Sequence, residues 1–224
     1  MAAVTTAAGA PLVGLVEEMC PPDEMQERQR QRQLDPLEWR PGTDPSRPEA
    51  DPRLTTKKYH RSSADRTYVG QEVRTPEACH RTMEFLVKEV LDLDCPSSTS
   101  ARPSSVQFAV ECPLPTQVYD YVRNRSRAVR VDLLLQGEPV EASRAFIEVH
   151  EWCFFFELIS LALLAGTAAD YDESLGLAAL AQVVEPLLAA YSAARARTKT
   201  GGGPERPTPT PRRGSPLCSA APSC

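Results

Sequence analysis

The stretch Tyr119-Asp120-Tyr121-Val122-Arg123-Asn124-Arg125-Ser126-Arg127-Ala128-Val129-Arg130-Val131-Asp132-Leu133 decides the fold. Tyr119, Val122, Val129 and Leu133 fall at i, i+3, i+10 and i+14, which is one face of an α-helix. Pro115 stands before them and Gly137 after, so a helix is predicted over roughly 115–136. Arg123, Arg127 and Arg130 share an adjacent face. Four arginines within residues 123–130 exceed what solubility needs. Three roles fit them. Their forks match phosphate oxygens. They could tie neighbouring helices together through Asp120 and Asp132. Or they form a solvated face whose field the flanking acids dilute.

Upstream, Thr75 can cap a helix and Pro76 suits its first position. Met83, Leu86, Val87 and Val90 make its apolar stripe, and Asp94-Cys95-Pro96 ends it. Residues 96–115 are Ser/Pro-rich and read as an inserted loop around a short Val106–Val110 run. At the start, Pro21-Pro22-Asp23 opens a polar helix with Glu24 and Arg28 at i, i+4, closing near Asp35-Pro36. Five prolines in residues 36–56 read as an extended linker. Residues 57–74 are polar and irregular, with Tyr59 and Tyr68 as anchors. Downstream, a helix over about 139–165 carries two apolar stripes. One is Phe146, Val149, Cys153, Phe156 and Ser160; the other is Trp152, Phe155, Ile159 and Leu163. A last helix over about 173–195 points Leu177, Leu180, Val184, Leu187, Leu188 and Tyr191 inward, and Pro186 bends it. Residues 1–18 read as a flexible N-terminus, and 199–224 as a disordered Pro/Gly/Arg/Ser tail. The expectation is an all-α domain over 19–198, an irregular helical-repeat, solenoid-like bundle.

Composition narrows the function. The 224 residues are 42% hydrophobic and 25% charged, which is globular. A net charge of -5 argues against a uniformly basic nucleic-acid binder. Seven cysteines without a C-x-x-C pair, and no basic n-region at the start, read as reduced thiols. Residues 152–169 are apolar enough to raise a membrane span, but Glu157 inside them favours a buried core helix. His150 and Cys153 at i, i+3 could pair as base and nucleophile, yet they lie in the most apolar segment. Cys79-His80 and Cys20 lack a second pair at metal spacing. Asp92 and Asp94 read as solvated. No phosphate loop or nucleophile elbow occurs. The reading is a non-enzyme without cofactor, metal or small-molecule substrate.

Four strings in order resemble the SAC/GANP domain family. The first has Gly14, Met19, Cys20, Pro21, Glu24 and Arg28 in place, with Val16 and Glu17 where the family has Cys-Pro. The second is Lys57 to Asp65, with Tyr59, Arg61, Ser62, Ser63 and Asp65. The third is Arg74 to Pro76, the fourth Asp120 to Asp132. Phe146, Ile147 and His150 resemble the core of the following helix. The resemblance implies a helical, non-catalytic scaffold that binds a PCI-domain partner in nuclear mRNA export or processing. Small members are linked instead to centrosome duplication and the mitotic spindle. Arg123, Asn124, Arg125, Arg127, Arg130 and Asp132 are the candidate contacts for a partner or, weakly, RNA. The family domain continues into further helices and a winged-helix end, so the break after Lys199 reads as a truncated product or an imperfect gene model.

Overall fold

A computed structural model describes residues 12–61, 68–91, 116–141 and 143–199. Ser62, Ser63, Asp65, the 96–115 insertion, and residues 1–11 and 200–224 of the predicted termini 1–18 and 199–224 lie outside these; residues 12–18, predicted flexible, are instead held, with Val16 buried and its N–H on the Val73 carbonyl at 3.0 Å. Six α-helices follow in order: α1 (Pro22–Arg30), α2 (Pro76–Phe85), α3 (Thr116–Leu134), α4 (Glu138–Glu141), α5 (Arg144–Leu164) and α6 (Glu173–Lys199). α2 runs on as a π-helical turn, Leu86–Leu91. The described residues contain no strand, only isolated bridges joining Val16 to Arg74 and Trp39 to Ala50. The architecture is an irregular all-α bundle.

The core lies where α2, α3 and α5 meet. Met83, Leu86, Tyr119, Val122, Val129, Leu133, Phe146, Val149, Cys153 and Phe156 are all buried there. The predicted stripes of α2 and α3 and the first stripe of α5 therefore face inward. Ser160 and Glu157 of α5 are also buried. Burial raises the Glu157 carboxyl above its usual range, against the pull of Arg123 and Arg130.

Helix ends depart from the predicted bounds for local reasons. α1 stops at Arg30, short of Asp35. Gln33 N–H bonds the Arg28 carbonyl at 2.8 Å and Arg32 N–H bonds that of Gln29 at 3.1 Å. Arg32 takes φ 57°, so the chain closes the helix in a Schellman motif with Arg where Gly is usual. The helix predicted over 139–165 is two. Ser143 accepts from Phe146 N–H at 3.2 Å and starts α5 afresh after the short α4.

Two expectations are corrected. The second α5 stripe is not a core face: Phe155 and Ile159 are exposed, and Trp152 and Leu163 only partly buried. In α6 the buried face is Ala179, Val183, Leu187 and Ala190. Of the residues predicted inward, Leu177, Leu188 and Tyr191 are 55%, 59% and 43% exposed. Leu187 alone of the residues predicted inward is buried, joined by Val183 and two alanines. Glu173–Arg197 is long and apolar enough to cross a membrane, with mean hydropathy 1.4 and 22% of that window buried. Its packing on α5, the main helix contact of the fold, places it as an outer helix of the bundle.

Candidate functional site

The segment predicted as a Pro-rich linker, 36–56, is a folded strap. Asp35 accepts from Leu37 N–H at 3.0 Å, and Glu38 reaches back to Asp35 N–H at 3.2 Å, starting a 3₁₀ turn at Pro36–Glu38. Asp51 N–H bonds the Glu38 carbonyl at 3.0 Å, and Ala50 N–H bonds Gln29 Oε1 of α1 at 2.8 Å. Proline spacing suggested extension. The strap instead satisfies its backbone through turn hydrogen bonds and through side chains, so it packs with only a single 3₁₀ turn.

Glu38, fully buried, sits at the centre of one ion cluster. Its Oε2 accepts from Arg28 Nη1 at 2.7 Å, and its Oε1 from Arg125 Nη2 at 3.1 Å and Thr56 N–H at 3.3 Å. Tyr121 OH donates to the same Oε1 at 3.4 Å, and the Arg125 guanidinium stacks 4.7 Å from the Tyr121 ring. Burial and the neighbouring Glu38 raise the Tyr121 hydroxyl above its ordinary range. Arg28 also donates to the Thr56 carbonyl at 2.8 Å and to Cys20 Sγ at 3.5 Å. Burial works against the Arg28 charge, but Glu38, Cys20 and Glu24 together outweigh it, so its pKa ends above normal. Glu24 lies 3.4 Å from Arg28 Nε and accepts from Lys58 N–H at 2.8 Å.

Asp132 centres the second cluster. Lys57 Nζ donates to its Oδ1 at 2.6 Å and Arg74 Nε to its Oδ2 at 2.7 Å. Arg74 is fully buried and reaches the Met19 carbonyl at 3.2 Å and Thr82 Oγ1 at 3.4 Å. Lys57 also donates to the Glu72 carbonyl. Gln136 Nε2 holds the Arg74 carbonyl at 3.0 Å, and its Oε1 takes Gly14 N–H at 3.2 Å. A Cβ on Gly14 would stand 2.4 Å from the Arg74 carbonyl oxygen, which only glycine avoids. Pro76 opens α2 just after this arginine, and Thr75 caps it by accepting from Ala78 N–H at 3.1 Å.

Asn124 links α3 to the second string. It accepts from Tyr59 N–H at 3.0 Å and donates to the Tyr59 carbonyl at 3.3 Å. Arg127 then lies 4.2 Å over the Tyr59 ring. Residues 14–61, 74–76 and 120–136, distant in sequence, thus form one frame around α3. Pro21 is the residue before α1 and is buried.

The four arginines of the 123–130 cluster have separate fates. Arg125 and Arg130 are buried, while Arg123 is half-buried and Arg127 exposed. The network runs through Glu38 and Asp132; Asp120 is exposed and stands outside it. Arg123 instead donates to the Leu175 carbonyl of α6 at 2.9 Å. Arg61 is exposed. With Arg125 and Asp132 sealed inside, their charge is directed at other residues of this chain. The sequence reading missed Glu38, Thr56, Tyr121 and Gln136. The Asp35-Pro36-Leu37-Glu38 capping pattern was the available signal for Glu38.

The candidate nucleophiles lie in packed surroundings. His150 stacks 4.0 Å from Phe146, and its Nδ1 is 2.8 Å from the Phe146 carbonyl. Burial lowers its pKa to about 4. Burial pushes the Cys153 thiol up to about 11, and the Cys20 and Cys79 thiols up to about 12. His80 bonds Glu148 at 2.9 Å and packs on Trp152. Among the described residues, no group of three or more His, Cys, Asp or Glu side chains could hold a metal ion.

Among the described residues the motif charges brace the chain itself and the three thiols are buried, which makes the domain an internally braced helical bundle. Residues 19–206, most of the chain, match the model of the SAC3/GANP family. The protein belongs to that family.

Proposed function

We propose that this protein is a non-catalytic helical scaffold that binds a PCI-domain partner in nuclear mRNA export or mRNA processing. The SAC3/GANP family is linked in general to mRNA-export scaffolds. The observation that carries the reading is the use of the motif residues. Arg28, Arg74, Arg125 and Asp132 are buried in ion pairs within the chain, so they build a frame and leave its surfaces for recognition. The exposed apolar residues of α5 and α6 supply such a surface. RNA contact, where it occurs, falls to exposed cations such as Arg61 and Arg127 and is weak.

The test is affinity purification of the tagged chain from nuclear and mitotic extracts, with mass spectrometry of what co-purifies. A PCI-domain protein together with export or splicing factors is the expected result. Centrosomal and spindle proteins without a PCI-domain subunit would replace this reading with a spindle role.

A further inference from the structure

Four arginines are buried among the described residues: Arg28, Arg74, Arg125 and Arg130. Three of them sit on a carboxylate of this chain. Arg28 and Arg125 share Glu38, and Arg74 takes Asp132. Arg130 is the exception. It is 8% exposed, yet among the described residues it forms no ion pair and donates no hydrogen bond, and its Nε is sealed without a partner. A buried charge without a counter-ion is costly, and native chains pair it or neutralise it. Arginine cannot shed its proton, so only pairing is open to it.

The acids beside it do not serve. Asp132, two residues on, is already held by Lys57 and Arg74. Glu157 of α5 feels the Arg130 charge but makes no ion pair with it; its Oε2 has no partner either, and burial favours its neutral form. His150 and Cys153 of α5 also feel that charge, and burial keeps both uncharged near neutral pH.

The guanidinium keeps an open side, because its Nη nitrogens are not sealed and bond nothing among the described residues. Arg127, exposed, and Arg123, half-buried, precede it at i−3 and i−7, on the same side of α3. A nucleic acid fits this place less well than a protein carboxylate. It brings closely spaced phosphates that call for a long basic track, whereas here Asp120 stands on the same helix and the whole chain has net charge -5.

We infer that Arg130 is completed by a carboxylate of a partner protein, an Asp or Glu on an acidic segment that enters where α3 meets α5, beside Arg123 and Arg127. This rests on the scaffold reading and names what the partner brings.

Two measurements on the full chain decide it. The first is stability. Arg130→Met keeps an apolar stem and removes the charge. The urea midpoint should hold or rise, whereas Arg125→Met, which takes a cation from buried Glu38, should lower it. A fall at Arg130→Met as large as at Arg125→Met overturns the inference, because an acid of this chain, such as Asp65, Asp94 or Glu111, then already holds the arginine. The same fall in a longer form of the domain, with helices after Lys199, overturns it too, since those helices would be the source of the acid.

The second is binding, followed by fluorescence anisotropy of a labelled peptide of alternating Glu and Ser and of its Gln counterpart. The Glu peptide should bind about tenfold more tightly, and Arg130→Met should erase that preference. Equal binding of the two peptides, or a Glu preference that survives Arg130→Met, overturns the inference. So does oligouridine that displaces the Glu peptide and itself loses affinity with Arg130→Met, which would make the ligand a nucleic acid. If tagged Arg130→Met recovers the same PCI-domain and export proteins as the native chain, this inference falls while the scaffold reading stands.

Discussion

Glu38 and Arg125, 87 positions apart in the chain, meet at 3.1 Å with the glutamate fully buried and the arginine 4% exposed. Arg28 takes the other carboxylate oxygen at 2.7 Å. Neither arginine has water to replace this partner. Removing one member of such a buried set leaves an uncompensated charge and costs about 3–5 kcal/mol. Glu38→Ala should therefore lower the urea midpoint sharply. Arg127→Ala is the control, since its guanidinium is exposed and only stacks on Tyr59; it should cost less than about 1 kcal/mol. Equal effects from the two would show that the Glu38 cluster is not what braces the strap.

Gly14 offers a steric test of the second cluster. Alanine there would place Cβ 2.4 Å from the Arg74 carbonyl oxygen, a backbone atom fixed by Gln136. The strand of chain before α1 must move, loosening the contact that holds Arg74 against Asp132. The expected cost is about 1–3 kcal/mol. Gly137→Ala is the comparison: its φ is 72° but no atom lies within 4 Å of the added Cβ. That change should cost only about 1 kcal/mol, from the left-handed backbone alone. Thermal melts of both variants separate crowding from backbone strain.

The thiols of Cys20, Cys79 and Cys153 are buried and raised, to about 12, 12 and 11. Few thiolates exist at neutral pH and reagents cannot reach them. Site-resolved mass spectrometry after brief alkylation should find these three unmodified in the native chain and modified in urea. Rapid native labelling of Cys153 would reopen a nucleophilic role for it.

Much of the architecture was legible because α2 and α3 are amphipathic. Their charged faces leave one way to orient Met83 or Val122. α6 was misread for the opposite reason. It is apolar nearly all round, so periodicity could not tell the Val183 face from the Leu188 face, and the larger side chains drew the assignment. The strap was misread because proline predicts the backbone of a segment but not what its side chains satisfy. Arg74 and Asp132 were visible as members of motifs. Their pairing was not, because it joins residues 58 positions apart.

His150 makes the fold sensitive to acid, and the sign follows from its burial. Its pKa is about 4 in the native chain against an ordinary 6.5, because the buried ring resists a proton. Between those values the unfolded chain binds a proton that the native chain refuses. Stability is then lost as pH falls from about 6.5 toward 4, by up to roughly 3 kcal/mol from this group. Glu157, whose carboxyl is raised by burial, acts in the opposite sense, so the raw pH profile is a sum. The difference between the native chain and His150→Leu isolates the histidine. Urea unfolding at several pH values should show the gap between the two shift by that amount, the variant gaining relative to the native chain as acidity rises. A gap that stays constant with pH would mean the ring is protonated inside the fold, and that Phe146 and its carbonyl stabilise the imidazolium.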